Sequence, residues 1–343
     1  MDNAAVDYFR NGCHVGLSIG VVTPGGVFFY NYGATRPHGH TLPGRHSIYE
    51  LASVTKTFTG SLAARAVIED KLHIDDDFRL YLPGDYANLA WQDKPITLAT
   101  LITHRSGMPR DIPDSDAIFT KKDFKTLPYE LLALQKGFDR SKLLSALHRV
   151  KLRSAPGSTE VYSNAGYQVI GLGLEKIYGQ PFETLMSRQL LQPLGMNSTG
   201  FTVEGAKHTL LLSGFDRQDR KVPYHPRNAG AAWGLYSTTE DMSKYIRWQL
   251  DANDPIVRQM RQPLVGNAKE GEAMPWNLAT EGEQPVLWHG GGSFGMSSQV
   301  VLFPAQGEGF VLLANDTCEG TEGALKTIAM DVHASFRRDR ARP

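Results

Sequence analysis

The hydrophobic rhythm of the chain changes twice. Two runs, 15–22 and 26–33, are crowded with β-branched and aromatic residues and flank Thr23-Pro24-Gly25. Runs of that kind on either side of a Pro-Gly turn predict a β-hairpin. From about 65 to 230 the apolar residues recur at helical spacing in segments cut by Pro and Gly, with helices expected at 98–104, 139–150, 166–178 and 182–191. Beyond about 231 strand character returns. Three strands are expected at 285–289, 298–303 and 309–315, the last two joined by Pro304-Ala305-Gln306-Gly307. A closing helix over 321–336 carries Leu325, Ile328, Val332 and Phe336 on one face, a stripe suited to core packing.

Strands at both ends with helices between them predict an α+β fold. One antiparallel sheet is built from both termini and flanked by helices, with a mainly helical lobe inserted into it. Residues 1–64 and 231–343 would form the sheet domain and 65–230 the inserted lobe. The junction of two such lobes is a common place for a ligand pocket.

Composition narrows the possibilities without naming a function. The 343 residues are 41% hydrophobic and 21% charged, enough to bury a substantial core. The 36 basic and 36 acidic side chains cancel, so no nucleic-acid footprint is expected. No apolar run is long enough to span a bilayer. Met1-Asp2-Asn3-Ala4 lacks the basic and apolar regions of a signal peptide. The expected location is therefore cytoplasmic, or periplasmic or secreted if an export signal has been trimmed. Cys13 and Cys318 cannot make a disulfide framework, and buried free thiols are expected in preference to a bond between the terminal segments.

Candidate chemistry begins at Glu50-Leu51-Ala52-Ser53-Val54-Thr55-Lys56, the start of a helix expected to run to about 70. Residues i and i+3 share a helix face, so the Ser53 hydroxyl and the Lys56 amine would be neighbours. The unpaired N–H groups of a first helical turn favour a developing anion there. Taken alone, the same spacing also fits a solvated helix face. Tyr162-Ser163-Asn164 precedes the 166–178 helix and offers a phenol and an amide, or, more plainly, a packed tyrosine and an N-cap asparagine. Trp288-His289-Gly290-Gly291-Gly292 ends a strand at residues that let a ligand approach the backbone closely. His104-Arg105-Ser106-Gly107 reads as a structural turn, and Trp288 as packing. No histidine or cysteine spacing supports a metal site, and no cofactor is expected.

Three motif matches fail on context. Gly16-Leu17-Ser18-Ile19-Gly20 fits a nucleophile elbow, which needs a strand-to-helix turn, yet Ser18 lies inside a β run. His289-Gly290-Gly291-Gly292 fits the oxyanion motif of the same fold but follows the elbow where it should precede it. Gly290-Gly291-Gly292-Ser293-Phe294-Gly295 fits a dinucleotide fingerprint, but a strand follows where a helix is required.

In order, S-x-x-K, Y-x-N and H-G-G resemble the serine β-lactamase and penicillin-binding-protein superfamily. The chain is most similar to its class C β-lactamase-like branch, which includes family VIII carboxylesterases and D-amino-acid peptidases. The segments 96–107, 156–167, 191–196 and 234–238 extend the likeness over about 15–320. It implies that Ser53 is the acylated nucleophile, Lys56 its activating amine and Tyr162 a proton shuttle. Asn164, His289 and Gly291 would contact substrate, and the backbone N–H groups of Ser53 and Gly292 would form the oxyanion hole. Lys56 and Tyr162 are each expected to have their pKa drawn toward neutrality by the other, which leaves the choice of base open.

One departure matters. The third motif of β-lactamases and transpeptidases is usually K-T-G or K-S-G, whose lysine and hydroxyl help to hold the substrate carboxylate; here it is His289-Gly290-Gly291. The expected function is therefore a serine hydrolase of esterase or D-peptidase type acting on a small-molecule or peptide-like substrate. Acyltransferase or transesterase, β-lactamase and non-catalytic ligand binding are the alternatives. Substrate choice is expected to lie in the 111–137 and 205–228 segments.

Overall fold

The computed structural model describes residues 1–10, 13–226 and 230–340. The hairpin forms as expected, with β1 (Gly16–Thr23) and β2 (Gly26–Gly33) in register from Gly16↔Gly33 to Thr23↔Gly26 around Pro24-Gly25. The C-terminal half supplies β3 (Val265–Gly266), β4 (Gly271–Glu272), β5 (Asn277–Glu281), β6 (Gln284–Gly292), β7 (Ser297–Phe303) and β8 (Glu308–Ala314). Among the described residues these form one eight-stranded sheet in the order β2-β1-β8-β7-β6-β5-β4-β3, every ladder antiparallel. The first and last parts of the chain thus meet where β1 pairs with β8.

The continuous apolar runs of β7 and β8 are explained by burial on both faces. Val301, Phe303, Phe310 and Leu312 face one core, together with Leu17, Ile19 and Val21 of β1. Helix α1 (Asp2–Arg10) and the closing helix α5 (Thr321–Arg340) cover that face, through Tyr8 and through Leu325, Ile328 and Val332 of the stripe read from sequence. Val300, Leu302, Val311 and Leu313 face the other core. There they meet α2 (Thr55–Ile68), α3 (Asn164–Tyr178) and α4 (Thr239–Gln249). Helix α2 is buried almost all round, so it shows no amphipathic stripe.

Strands β3, β4 and β5, which complete one end of the sheet, give no signal in the sequence because they are short and carry no apolar run. Strand β6 continues three residues past the expected His289, through its glycines to Gly292. No helix among the described residues is long and apolar enough to cross a membrane.

The cysteine expectation is corrected. Cys13 and Cys318 are joined in a disulfide across 305 residues of sequence, with their Cα atoms 6.2 Å apart. Helices α1 and α5 lie side by side on one sheet face, which brings the two terminal segments within disulfide reach. Asp316 fastens the same junction: it accepts from Val15 N–H at 2.8 Å and from the Tyr8 hydroxyl at 3.3 Å, with His14 Nδ1 3.0 Å away. His14, Asp316 and Cys318 bring donor atoms within 4.8 Å of one another, but the Cys318 sulfur is already bonded to Cys13.

Candidate active site

Ser53 sits in a 3₁₀ turn, Ala52–Val54, that runs directly into α2. Ala52 is fully buried at φ 45°, a left-handed conformation costly for a residue with a Cβ. The surroundings hold the turn in place: the Ser298 hydroxyl donates to Leu51 O at 2.7 Å, and β6 packs against it. A Cβ at Gly291 would lie 2.8 Å from Ser53 N and 2.5 Å from Leu51 O, so only glycine lets β6 approach the nucleophile this closely.

One turn on, Lys56 is wholly inaccessible to solvent, so the reading of its spacing as a solvated helix face fails. Its Nζ donates to Asn164 Oδ1 at 2.8 Å and to Ala232 O at 2.9 Å, and lies 3.2 Å from Ser53 Oγ. Tyr162 enters from the loop before α3, placing its hydroxyl 2.5 Å from Ser53 Oγ. The N-cap of α3 is Ser163, whose Oγ accepts from Gly166 N–H at 2.9 Å. Asn164 is therefore the first residue of the helix, and the capping role proposed for it passes to its neighbour. Its side chain is free to join Lys56 to Asp111, donating from Nδ2 to Asp111 Oδ1 at 2.8 Å.

Burial drives the electrostatics. It pushes the Lys56 amine well below the ordinary lysine range, an effect increased by Arg110 and opposed by the carboxylates of Asp111 and Glu322. Tyr162 departs from expectation: burial raises its phenol to about 12, despite the Ser53 hydrogen bond and Arg110, which pull it down. The two groups are thus driven apart, the amine toward a neutral base and the phenol toward a retained proton. His289 is lowered to about 4 by burial and by Lys56, and is neutral at physiological pH.

Ser53, Tyr162, Asn164, His289 and Gly292 line one cleft of about 800 Å³. Gly291 abuts the Ser53 amide from behind. Residues to which the sequence assigns no individual role in the site also reach it. The buried Asp111 accepts from the Ser115 hydroxyl as well as from Asn164. Arg110 holds its guanidinium 5.4 Å from the Tyr162 ring centre and 4.2 Å from that of Phe119. His104, read as a structural turn, lies with its ring 4.4 Å from Tyr162 and accepts from Ser163 N–H at 3.1 Å. Trp288 lines the cleft, as does Glu322 from the first turn of α5. Of the two segments expected to set substrate choice, 111–137 contributes Phe119, Phe124, Leu127 and Leu131 to the cleft wall. The 205–228 segment contributes Arg217 and His225, while its last two residues lie outside the described residues. Arg110 and Asp111 stand in a loop, where no periodicity marks a residue as functional.

The Beta-lactamase family model matches residues 3–335 of the chain. Protein flp of Staphylococcus aureus (strain N315) is 27% identical over 311 residues, covering 88% of this chain and 59% of that protein's length. The D-alanyl-D-alanine-carboxypeptidase/endopeptidase AmpH of Escherichia coli (strain K12) is 24% identical over 328 residues, covering 90% of this chain and 81% of AmpH. A solved structure described as a Beta-Lactamase/D-Alanine Carboxypeptidase from Pseudomonas syringae superposes with a TM-score of 0.81 at 20% identity, covering 100% of this chain and 98% of that one. That likeness shows the fold; the chemistry rests on the side chains.

Proposed function

The chain belongs to the beta-lactamase family of serine hydrolases, and from that premise we propose that it hydrolyses esters or amides through a Ser53 acyl-enzyme. The observation that carries this reading is the placing of Ser53 Oγ between a phenol at 2.5 Å and a buried amine at 3.2 Å. A neutral Lys56 donates two hydrogens, to Asn164 Oδ1 and Ala232 O, and turns its lone pair to the Ser53 proton. Ser53 Oγ attacks the carbonyl carbon as Lys56 takes that proton. The oxyanion forms against the N–H groups of Ser53 and Gly292. Tyr162, still protonated, gives its proton to the leaving group and is reprotonated from Lys56. Water then releases the acyl chain by the reverse relay.

The substrates we assign are simple esters or amides carrying an N-terminal D-residue, in preference to β-lactams or D-alanyl-D-alanine. The reason is the third motif: His289 is uncharged, and Gly290 offers no hydroxyl to hold a carboxylate. The names of the relatives supply the alternatives to be compared. Intact mass after brief exposure to p-nitrophenyl acetate, nitrocefin and a D-alanyl anilide, with turnover of each, tests both levels. The expected result is an acyl adduct on wild type, absent from Ser53→Ala, with the ester or the anilide turned over faster than nitrocefin. Loss of one oxyanion donor costs about 10²–10³ in rate, and loss of the nucleophile should cost at least that. Wild-type turnover by Ser53→Ala would remove the assignment; nitrocefin as the fastest substrate would remove the preference.

A further inference from the structure

The ladder between β5 and β6 ends at Asn277↔Trp288, so the outer edge of Gly290–Gly292 has no strand beside it. Over that stretch lies the Glu322 carboxylate. A Cβ at Gly290 would stand 2.8 Å from Glu322 Oε2, and one at Gly292 would stand 2.6 Å from Glu322 Oε1. A side chain at either position would make the carboxylate swing aside, whereas glycine lets it lie over the strand. The glycines of the third motif and Glu322 are therefore one arrangement: where a K-T-G motif offers a cation and a hydroxyl, this cleft offers a carboxylate.

Nothing among the described residues neutralises it. Among the described residues no hydrogen bond or ion pair joins Glu322 to another side chain. Lys326, one turn further along α5, is the natural i+4 partner, but it holds its ammonium 3.7 Å from the centre of the Trp288 ring. Glu319 adds a second acidic residue to the same wall. His289, the one residue of the third motif that carries a side chain, is neutral. Burial raises the Glu322 carboxyl above the ordinary carboxylate range; Lys56 opposes that shift, but its amine is committed to Ser53, Asn164 and Ala232.

We propose that Glu322 is a specificity residue that selects substrates with a cationic leaving group and rejects those whose leaving group carries a carboxylate. This rests on the acyl-enzyme reading above. The side of the cleft follows from chemistry: in a D-alanyl-D-alanine peptide the carboxylate held by a K-T-G motif belongs to the departing residue. Glu322 replaces that anchor with the opposite charge, so an alkylammonium group on the departing alcohol, thiol or amine meets an acceptor. An anionic leaving group meets repulsion there.

Three thioacetates of similar size separate the outcomes: acetylthiocholine, its neutral 3,3-dimethylbutyl isostere, and S-acetyl-3-mercaptopropionate. Each is followed by thiol release and by acyl mass on Ser53, in wild type, Glu322→Gln and Glu322→Lys. In wild type, kcat/KM should favour the cation over the isostere by roughly three- to tenfold, as for a part-exposed ion pair, and the anion should be the poorest. The preference should shrink as salt is raised. Glu322→Gln should bring the cation-to-neutral ratio close to one, and Glu322→Lys should reverse the order of cation and anion. Turnover of all three with no charge preference in wild type, or a ratio unmoved in Glu322→Gln, would overturn this inference alone. Absence of acyl mass on Ser53 from every thioester would overturn the acyl-enzyme reading as well.

Discussion

The two walls of the cleft are built by different means. On the α2 and α3 side, Ser53, Lys56, Tyr162, Asn164 and Asp111 form a chain of hydrogen bonds between 2.5 and 3.2 Å long, around a lysine sealed from water. On the other side stand the glycines of β6, the Glu322 carboxylate, which has no ion-pair partner among the described residues, and loop aromatics such as Phe124, which is 60% exposed. The first wall fixes atoms, because proton transfer tolerates little misplacement. The second fixes only charge and apolar area, the quantities by which a cleft sorts substrates. Changes on the first wall should therefore reduce rates by orders of magnitude for every substrate. Changes on the second should alter ratios between substrates by modest factors.

The largest break is at Lys56. Removing a general base typically costs about 10²–10⁴ in rate, and Lys56→Ala should lose that much on every ester tested. The pH profile supplies the sign. Lys56 works as the free amine, so kcat/KM is present above its pKa and is lost as pH falls through it. Burial has moved that pKa well below the ordinary lysine range, so the acid limb should fall well below the pH at which a solvated lysine titrates. A profile governed only by a group near the ordinary lysine value would refute the assignment of Lys56 as the base.

Asp111 gives a smaller break with a separate signature. It holds Asn164 by an ionic hydrogen bond, and its charge raises the Lys56 pKa against burial. Asp111→Asn should lower kcat/KM by roughly ten- to hundredfold, as expected for losing a hydrogen bond to a charged group. It should also move the acid limb to lower pH, because a charge that favours the protonated amine is gone. A rate loss with an unmoved acid limb would reduce Asp111 to a packing role.

The contrast between the walls also explains what could be read in advance. The hairpin, β7, β8 and the α5 stripe were legible because each is a local run with period 2, continuous burial or period 3.6. Ser53 with Lys56, and Tyr162 with Asn164, were legible as pairs, because each is fixed by a spacing within a single element or its cap. What escaped depends on contacts between distant segments. Examples are the disulfide that joins Cys13 to Cys318, the Asp111 support of Asn164, the His104 ring against Tyr162, and Glu322 lying over Gly290 and Gly292. The raised Tyr162 pKa was hidden for the same reason: the resemblance sets Lys56 beside Tyr162 and suggests mutual lowering, whereas burial, a property of the whole fold, prevails.

The smallest effect expected lies where the two segments assigned to substrate choice meet. Phe124 comes from one, Arg217 from the other, and the guanidinium stands 5.8 Å from the Phe124 ring centre. That contact crosses the rim of the cleft, so a long acyl or alkyl chain leaving Ser53 on this side would run beneath it, along Leu127 and Leu131. Each methylene buried contributes about 0.8 kcal/mol, and a chain that loses part of one aromatic wall loses one or two such units. Phe124→Ala should accordingly reduce the octanoate-to-acetate ratio of kcat/KM by roughly four- to fifteenfold. Because Phe124 is mostly exposed, the substitution should cost little folding stability. Arg217→Ala should reduce the same ratio by less, and the double variant should fall short of the product of the two, since both remove the same contact. Fully multiplicative effects would mean that the two segments act independently. An unchanged ratio in Phe124→Ala would mean that the chain leaves the cleft elsewhere.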